Sequence, residues 1–453
     1  MKNNKVDMKI KQIYDKALAH GSYAIESNGQ IALVDPGRDP QPYLDFAQEH
    51  NARIVAIFET HPHADFASSH LEFQQKHGAD IYVNPKVGVT YDYKPLEHND
   101  EVKIGGVTIK ALFTPGHSPD HNSYLLIDEE GKEKAVFTGD SLFVGDVGRP
   151  DLREGAGNIK VNKKELAGMM YDTLNSVFNE LEEDVVVYPA HGAGSLCGKN
   201  MSDDLYSTIG REKRENWAFQ LKEKDRFIDS YLEGQSFIPK YFPYEVELNR
   251  KGLEPLEESL KKVPYLSNTD ALEKGVVIVD VRDQARFKAG HIEGAINIPN
   301  SNDNDKFETW LGSIVGPEEQ FYLVGDSKAE LDNAVRRAAK IGYETNIKGA
   351  ALLPKDNLAK DEPLDLQDFR QHPDQFTIVD IRNTSEVADG KFFKDAINIP
   401  LPELRERADE INGNKPIVVH CAGGYRSAAG ASILAKQLKN KVYDLSEAIN
   451  EFK

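Results

Sequence analysis

The chain reads Thr60-His61-Pro62-His63-Ala64-Asp65-Phe66 directly after a short apolar run at residues 54–58. An apolar run of this length predicts a buried strand, so the two histidines and the aspartate lie in the loop that follows it. Imidazole and carboxylate groups are metal ligands, whereas the phenyl ring of Phe66 is not. The stretch therefore predicts a metal site in which one candidate ligand position holds a hydrocarbon ring.

Three more candidate ligands follow apolar runs in the same way. His117 lies in a polar loop at residues 114–118, Asp140 follows the run at residues 135–137, and His191 follows the run at residues 185–188. Polar side chains that gather at strand ends are typical of the sites of layered α/β folds. A single histidine in such a loop is more often a hydrogen-bonded structural residue. Four clusters in this order favour a metal centre.

Length and composition limit the classes of protein that fit. A chain of 453 residues is too long for one core and predicts about three domains. No apolar run approaches the length of a membrane span, and residues 1–17 contain no apolar segment that would direct secretion. The net charge of −19 disfavours nucleic acid and anionic membranes as partners.

The chain contains two cysteines, Cys197 and Cys421. Two cysteines so far apart in the sequence do not predict a disulfide, and a reducing cytoplasm is the expected location. Each is either a small buried side chain or a reactive thiol, and its neighbours have to separate the two cases.

The C-terminal part of the chain contains an internal repeat. VIVDVR at residues 277–282 returns as TIVDIR at residues 377–382, and AINIP at residues 295–299 returns at residues 396–400. Two matches in the same order at nearly one spacing indicate a duplicated domain, with a polar seam at residues 353–357. We expect domains at residues 1–255, 256–354 and 355–453, the first closed by a charged helical segment within residues 203–250.

On these residues the first domain resembles the metallo-β-lactamase fold, an αββα sandwich, and especially its glyoxalase II-like and persulfide dioxygenase branches. Residues 60–66 are similar to the T-H-x-H-x-D-H signature of the two-metal members, with Phe66 in place of the last histidine. Residues 143–152 and 190–198 resemble two further loops of the dioxygenase branch.

The resemblance to the one-metal dioxygenase branch implies that His61, His117 and Asp140 are the metal ligands. Two imidazoles and one carboxylate with open positions suit non-haem Fe(II), at one ion per chain. O2 and the sulfur of a substrate would need those open positions.

The same resemblance makes His63, Asp65 and His191 residues that orient the ligands or steer the substrate. The alternative is a dinuclear zinc site, as in the two-metal hydrolases. That site needs a replacement for the ligand lost at Phe66, and His70 is a weak candidate.

Two residues near these loops are candidates for contact with the substrate. Arg149, in the loop after Asp140, could hold an anionic group, and an ion-paired arginine is the alternative. Cys197, six residues after His191, should lie close to the metal. It is either a small buried side chain or a catalytic thiol that takes up sulfur as a persulfide.

The duplicated domains resemble rhodaneses. The second copy ends a predicted strand in Cys421 and continues through a glycine-bearing loop into a predicted helix. Backbone N–H groups of such a loop form an anion cradle, and the helix N-terminus and Arg426 favour the thiolate. We expect Gly423, Gly424 and Ser427 to bind the transferred group.

The length of this loop separates two kinds of enzyme. Cys421 and Arg426 enclose four residues, as in sulfurtransferases, whereas the related phosphatases have five. The resemblance therefore implies a persulfide of Cys421 as the intermediate. The first copy aligns Gly325 with this cysteine and supplies no nucleophile, so we expect it to be a spacer or docking module.

Over essentially the whole chain the domain order resembles the fused persulfide dioxygenase–rhodanese proteins of the CstB type. The resemblance implies that O2 oxidises a low-molecular-weight thiol persulfide to sulfite and that Cys421 then forms thiosulfate, a route of sulfide detoxification. The implied partners are the persulfide, O2 and sulfite, and a homo-oligomer (dimer or tetramer) is expected.

Two other classes of function remain open. One is a dinuclear zinc glyoxalase II-like thioester hydrolase with an appended rhodanese, which would turn over without O2. The other is a carrier or sensor that persulfidates Cys421 without consuming substrate repeatedly.

Overall fold

The computed structural model of the protein describes residues 8–154, 157, 160–411 and 413–453. The first seven residues, on which the expectation of no secretion segment partly depends, lie outside these ranges. By its contacts the chain divides into two units, Met1–Ser259 with Lys340–Gly342, and Leu260–Ala339 with Tyr343–Lys453.

The first unit contains two six-stranded sheets, with strand orders β1-β2-β3-β4-β5-β6 and β12-β11-β10-β9-β8-β7. The first sheet consists of β1 (Lys9–Asp15), β2 (His20–Ser27), β3 (Gln30–Val34), β4 (Arg53–Phe58), β5 (Asp80–Val83) and β6 (Lys94–Pro95). The second consists of β7 (Glu101–Ile104), β8 (Val107–Phe113), β9 (Asn122–Ile127), β10 (Glu133–Gly139), β11 (Val186–Pro189) and β12 (Ser207–Thr208). The four strands predicted from apolar runs correspond to β3, β4, β10 and β11.

The core of this unit lies between the two sheets. Strand residues alternate between the two faces of a sheet, so one face of each sheet can be apolar and closed by the other sheet. Tyr23 packs on Phe137 with ring centres 5.0 Å apart, and Phe58 packs on Tyr124 at 5.1 Å. Each pair joins the first sheet to the second, and all four side chains are buried.

Helices cover the outer faces of the sheets. α1 (Gln41–Glu49) and α2 (His70–His77) pack on the first sheet, and α3 (Lys163–Ser176) packs on the second. α3 begins at Asn162, whose side chain accepts the backbone N–H of Glu165 while the Glu165 carboxylate accepts that of Asn162. The order helix, sheet, sheet, helix confirms the predicted αββα sandwich.

The helical segment predicted within residues 203–250 is present and extends slightly beyond that range. It comprises α4 (Ile209–Glu215), α5 (Trp217–Gln220), α6 (Lys224–Leu232), α7 (Phe242–Lys251) and α8 (Leu256–Leu260). The rings of Trp217 and Phe227 stack 5.6 Å apart, which fixes α6 to α5. Across the described ranges, no helix is long and apolar enough to cross a membrane.

The second unit contains two four-stranded parallel sheets, with orders β14-β13-β15-β16 and β18-β17-β19-β20. The first consists of β13 (Val277–Asp280), β14 (Ile296–Asn297), β15 (Phe321–Gly325) and β16 (Ile347–Leu352), and the second of β17 (Thr377–Asp380), β18 (Ile397–Asn398), β19 (Ile417–His420) and β20 (Val442–Asp444). The helices are α9 (Gln284–Ala289), α10 (Phe307–Ile314), α11 (Lys328–Ala339), α12 (Leu366–Gln371), α13 (Thr384–Ala388), α14 (Leu404–Arg407) and α15 (Ser427–Gln437).

The two sheets have the same strand register. Asp280 pairs with Val324 in the first sheet, and Asp380 pairs with His420 in the second. The internal repeat is therefore a structural duplication, in which Gly325 holds the position that Cys421 holds in the second copy. The boundaries expected after residues 255 and 354 stay predictions.

Candidate metal centre and cysteine loop

Four loops that follow strands bring the candidate ligands together. The loop after β4 carries His61 and His63, and the loops after β8, β10 and β11 carry His117, Asp140 and His191. All five side chains are buried. Each strand ends immediately before or within a few residues of its ligand, so the ends of the sheets determine where the ligand groups lie.

His61, His117 and Asp140 form one group of potential ligands. Their ligand atoms lie within 4.8 Å of one another, and Nε2 of His117 is 3.6 Å from Oδ2 of Asp140. Nδ1 of His117 is 2.8 Å from the carbonyl oxygen of Arg149, and Nδ1 of His61 is 3.0 Å from the hydroxyl of Thr60. When each Nδ1–H donates to its acceptor, the Nε2 lone pair of each ring is left for a metal.

Asp35, to which the sequence assigned no role, holds this arrangement in place. The hydroxyl and the backbone N–H of Thr60 donate to its two carboxylate oxygens at 2.8 and 2.7 Å. The Thr60 oxygen is therefore free to accept from His61. Nε2 of His63 lies 3.3 Å from the same carboxylate, which turns Nδ1 of that ring towards Asp140.

Further ligand-type atoms surround Asp140. His63, Asp140 and His191 form a second group, and Asp65, His191 and Cys197 form a third. Nε2 of His191 is 3.5 Å from Asp140 and 3.3 Å from Asp65. Nδ1 of His63, Oδ1 of Asp140, Oδ1 of Asp65 and Nε2 of His191 are buried and have no hydrogen-bond partner within the described residues. Unsatisfied nitrogen and oxygen atoms of this kind fit a divalent cation.

The charge states of these groups also fit a metal. Burial lowers the pKa of His61, and the neighbouring His63 and His117 lower it further, so the ring is neutral as a ligand must be. Burial opposes a charge on His191, but the Asp65 and Asp140 carboxylates outweigh it and raise its pKa. A metal cation among these carboxylates would balance their negative charge in place of the His191 imidazolium.

Phe66 fills the position of the missing histidine with a ring that is 1% exposed. It stacks on His20 with ring centres 3.7 Å apart and lies 4.4 Å from the ring of His63. Neither His20 nor its contact with the site was predicted, because it begins β2 in an apolar context that no motif marks.

His121 is a second histidine that sequence reasoning missed. Its Nδ1 is 2.9 Å from the hydroxyl of Thr114, and its Nε2 accepts the backbone N–H of Asp140 at 3.2 Å. With both nitrogens engaged, His121 positions Asp140 rather than binding a metal. Its spacing of four residues from His117 was the signal that could have found it.

His70, the weak candidate for a replacement ligand, lies outside all three groups. Burial lowers its pKa to about 3, and its ring packs on Tyr91 at 4.7 Å. Its Nδ1 is 3.5 Å from the carboxylate of Glu59. His70 therefore does not restore the ligand lost at Phe66.

Arg149 is placed differently from the expectation that it holds a substrate anion. Its side chain is 1% exposed and pairs with both carboxylate oxygens of Asp151 at 2.7 Å. The remaining N–H groups donate to the carbonyl groups of Leu196 and Ser236 and to neighbouring atoms. Because the protein uses the whole guanidinium, Arg149 acts here as a cross-link between loops, and its carbonyl orients His117.

Cys197 lies beside the metal centre, as its spacing from His191 suggested, with its Sγ near ligand atoms of Asp65 and His191. Burial raises the pKa of this thiol to about 12, and the carboxylates of Asp65 and Asp140 contribute. A thiol in this environment is protonated at neutral pH and is a poor nucleophile. Of the two interpretations, the placement favours a small buried side chain.

Cys421 begins the predicted loop between β19 and α15 and is 1% exposed. The backbone N–H of Gly424 donates to its Sγ at 3.1 Å, and the hydroxyl of Ser427 donates to the carbonyl of Gly424 at 2.9 Å. Gly424 has φ +95°, and a Cβ there would lie 2.6 Å from the backbone of Ser446. A Cβ on Gly423 would meet nothing within 4 Å, so of the two glycines only Gly424 is required by the packing.

Arg426 is close to Cys421 but is not free. Its two terminal nitrogens donate to the carboxylate oxygens of Glu386, each at 2.7 Å. Burial opposes its charge, while Glu386 and Cys421 raise its pKa. The guanidinium is thus shared between the sulfur and a fixed carboxylate.

The first copy fills the corresponding cradle with its own carboxylate. A Cβ on Gly325 would lie 2.9 Å from an oxygen of Glu330, and the same oxygen accepts the backbone N–H of Asp326 at 2.8 Å. Arg286 pairs with the other oxygen of Glu330 at 2.9 Å. The first copy therefore retains the rhodanese fold but has neither nucleophile nor open anion site.

Comparison with known proteins agrees with this architecture. Residues 16–191 match the Metallo-beta-lactamase superfamily, and residues 267–349 and 363–453 match the Rhodanese-like domain. The chain is 32% identical to the crystal structure of a metallo-beta-lactamase from Staphylococcus aureus subsp. aureus COL. That match covers 77% of this chain and 99% of the other, with a TM-score of 0.68.

Two further relatives match about half of the chain. Cytoplasmic hydroxyacylglutathione hydrolase of Arabidopsis thaliana is 33% identical over 211 residues, which is 45% of this chain and 76% of the relative. The crystal structure of ETHE1 from Myxococcus xanthus is 28% identical, covers 53% of this chain and 98% of its own, and has a TM-score of 0.46.

The chain belongs to the metallo-beta-lactamase superfamily. Rhodanese-like domains follow its metallo-beta-lactamase domain, and together they indicate a metal-binding enzyme.

Proposed function

We propose that the protein is a non-haem Fe(II) persulfide dioxygenase that is also a sulfurtransferase. One observation carries the proposal. A single chain combines a buried two-histidine, one-carboxylate group with a six-residue cysteine loop that opens a helix. The first feature suits oxygen chemistry at one metal, and the second suits transfer of a sulfur atom.

His61, His117 and Asp140 would hold one Fe(II) per chain. Iron bound there would supply the redox chemistry by which O2 reacts with the outer sulfur of a thiol persulfide. Asp35 orients His61 through Thr60, so the ligand geometry is fixed before the substrate arrives.

His63, Asp65 and His191 would border the site without belonging to the ligand set. The Asp35 carboxylate fixes the ring of His63, and the carbonyl of Ala19 fixes that of His191 at 3.2 Å. The net reaction takes one persulfide, one O2 and one water to one thiol, one sulfite and two protons. Because the donor groups are buried, bulk water is largely excluded from this reaction.

Cys421 would carry the second reaction. Its thiolate attacks the outer sulfur of a second persulfide, a bond forms to Sγ, and the donor's S–S bond breaks so that the thiolate of the carrier leaves. Sulfite then attacks the outer sulfur of the Cys421 persulfide, the new S–S bond yields thiosulfate, and the electron pair returns to Sγ. The N–H of Gly424 and the guanidinium of Arg426 stabilise the thiolate at the start and the end.

The substitution Cys421→Ser tests the proposal. Supplied with a thiol persulfide and O2, this variant should consume O2 at the wild-type rate but accumulate sulfite in place of thiosulfate. Cys197→Ser is the matched control, because it removes the chain's other thiol and should leave the product unchanged. An unaltered thiosulfate yield in Cys421→Ser would remove Cys421 from the reaction.

A dinuclear zinc thioester hydrolase is the second candidate. The second ligand group, His63 with Asp140 and His191, favours it, as does the similarity to the Arabidopsis relative, a hydroxyacylglutathione hydrolase. Metal analysis of anaerobically purified protein separates the two candidates. About one iron per chain and O2-dependent turnover support the dioxygenase, and two zinc ions with thioester hydrolysis in the absence of O2 support the hydrolase.

We further infer a cytoplasmic location and a homo-oligomeric assembly for this enzyme. Both thiols are free, which suits a reducing compartment. Size-exclusion chromatography with light scattering would give the number of chains in the assembly.

A further inference from the structure

The two rhodanese copies pack directly on each other within the second unit. The backbone N–H of Asn297 in β14 donates to the hydroxyl of Ser432 in α15 at 3.2 Å, and both residues are buried. Arg405 in α14 pairs with both carboxylate oxygens of Glu319 in the first copy at 2.8 Å. α15 is the helix that the Cys421 loop opens, so the first copy is fixed beside that loop.

Two residues of the loop face the first copy. The guanidinium carbon of Arg426 lies 5.9 Å from the centre of the indole ring of Trp310, which projects from α10. Burial raises the pKa of Tyr425, and Asp305 and Glu308 of the first copy add to the shift. Two carboxylates of the first copy thus act on Tyr425, and Arg337 of the same copy acts against them.

The hydroxyl of Tyr425 is buried and makes no hydrogen bond to any described residue. Buried hydroxyl groups normally have a partner. A buried hydroxyl group without a partner, in an anion-binding loop, can contact a bound molecule.

Arg426 belongs to the same loop as the reactive sulfur of Cys421 and also contacts the first copy. Glu386 binds its guanidinium from the second copy, at 2.7 Å for each of two hydrogen bonds, while Trp310 lies across from it in the first. Arg426 therefore contacts both copies, through Glu386 in the second and Trp310 in the first, and these contacts restrict its movement. Trp310 is thus a side chain of the first copy that lies next to the arginine of the Cys421 loop.

We propose that the cysteine-free copy limits the size of the sulfur acceptor, with Trp310 as the specificity-determining residue. The inference rests on the proposed sulfurtransferase function. Sulfite is small enough to reach the outer sulfur of the Cys421 persulfide past the indole ring, whereas a thiol with a large substituent is hindered. In the reaction with sulfite the S–S bond to Sγ breaks, its electron pair stays on Sγ, and thiosulfate leaves. With a thiol acceptor the same bond would break and a new low-molecular-weight persulfide would leave.

The test compares two acceptors on preloaded protein. Wild-type, Trp310→Ala and Trp310→Phe proteins are loaded with a small persulfide, desalted and mixed with either sulfite or coenzyme A. The loss of one sulfur mass from the intact protein is followed in time. Trp310→Ala should raise the ratio of the coenzyme A rate to the sulfite rate by roughly tenfold, a typical size for steric selection. Trp310→Phe retains a ring and should stay close to wild type.

A second measurement does not depend on turnover. The chain has two tryptophans, Trp217 and Trp310. If Trp310 lies beside the reactive sulfur, loading Cys421 should change the fluorescence emission of the wild type, and Trp310→Phe should lose that change.

The outcomes distinguish a failure of the proposed function from a failure of the size limit. If wild-type Cys421 takes up no sulfur, the proposed function itself fails. If it loads normally but Trp310→Ala leaves the acceptor ratio unchanged, the size limit is wrong while the sulfurtransferase stands. If Trp310→Ala does not load, the fluorescence result decides, and no emission change in the wild type would overturn the inference.

Discussion

Phe66 is the residue at which the two candidate chemistries of the metal domain diverge. Its ring lies 4.4 Å from that of His63, which belongs with Asp140 and His191 to the second group of ligand atoms. The phenyl ring also stacks on His20. In the proposed site, Phe66 offers no nitrogen to a second metal, and the group of His61, His117 and Asp140 is complete without it.

The substitution Phe66→His should raise the capacity for a second metal. An imidazole is close in size to the phenyl ring and would present a nitrogen beside the ring of His63, which belongs to the second group of ligand atoms. We expect metal content to rise from about one to about two ions per chain after reconstitution with zinc, measured by mass spectrometry of the metals, with no gain in persulfide oxidation.

Phe66→Leu is the control for this substitution, because it removes the aromatic ring without adding a ligand. Its metal content should match that of the wild type. Two metal ions in the wild-type protein would contradict the role assigned to Phe66.

The two cysteines should differ strongly in reactivity. The pKa of Cys197 is raised to about 12, so its thiolate is scarce at neutral pH, and each pH unit below that value lowers the thiolate fraction about tenfold. We expect iodoacetamide at pH 8 to label Cys421 much faster than Cys197, with the labelling rate of Cys197 still rising at pH 10. Peptide mass spectrometry after timed alkylation measures both sites in one sample. Equal rates at pH 8 would show that Cys197 is an activated thiol.

At the scale of elements, the two rhodanese copies show how one loop decides function on a shared sheet. The strand register is the same in both copies, yet the loop after β15 closes on the Glu330 carboxylate, whereas the loop after β19 places the N–H of Gly424 on Sγ of Cys421. Arg286 holds Glu330 in place. The first copy therefore fills its own anion site with the Glu330 carboxylate. The absence of a cysteine is only part of the difference between the two copies.

Restoring the cysteine alone should not restore activity to the first copy. In a Cys421→Ser background, Gly325→Cys would place its side chain against the Glu330 carboxylate, which repels a thiolate and blocks the acceptor. We expect no stable persulfide on this variant by intact mass. The further substitution Glu330→Ser removes the carboxylate, and persulfide uptake by that variant but not by Gly325→Cys alone would support the explanation.

Adjacent glycines of the Cys421 loop provide a matched pair. Gly424→Ala forces a Cβ to within 2.6 Å of the Ser446 backbone at φ +95°, whereas Gly423→Ala meets nothing within 4 Å. The first substitution should reduce thiosulfate formation by roughly tenfold or more, because the N–H that contacts Sγ is displaced, and the second should have little effect. Oxygen uptake should stay normal in both. Comparable losses in the two variants would show that loop packing is not the cause.

The sequence predicted the strands well, but it did not predict which side chains contact one another in the folded chain. Apolar runs located β3, β4, β10 and β11, and the repeat located both rhodanese sheets, because these signals are local and periodic. The contacts of His20 and Glu330 depend on side chains that meet only after folding. Arg149 shows the same limit, since no local pattern reveals that Asp151 and two backbone carbonyls use its guanidinium.

At the scale of the whole molecule, one chain carries both proposed reactions. In the proposed function, sulfite is the product of the metal domain and the acceptor of the Cys421 persulfide, so the fusion supplies the two activities in a one-to-one ratio. Tethering also keeps each source of sulfite near an acceptor site. The net charge of −19 opposes the retention of sulfite, since an acidic molecule repels the sulfite dianion from its surroundings.

Mixing two variants, each inactive in one of the two reactions, tests whether the covalent link between the domains affects the capture of sulfite. Asp140→Ala removes a proposed metal ligand and should abolish O2 uptake while Cys421 still accepts sulfur, and Cys421→Ser has the reverse defect. An equimolar mixture should form thiosulfate, because sulfite released by one variant can diffuse to the other. If local capture operates, the mixture should show a lag that shortens as protein concentration rises, whereas the wild type should show none. The measurement is a time course of sulfite and thiosulfate by chromatography of their bimane derivatives at several protein concentrations. Identical time courses for mixture and wild type would mean that sulfite equilibrates with the solution before it is captured, and that fusion serves only to set the ratio of the two activities.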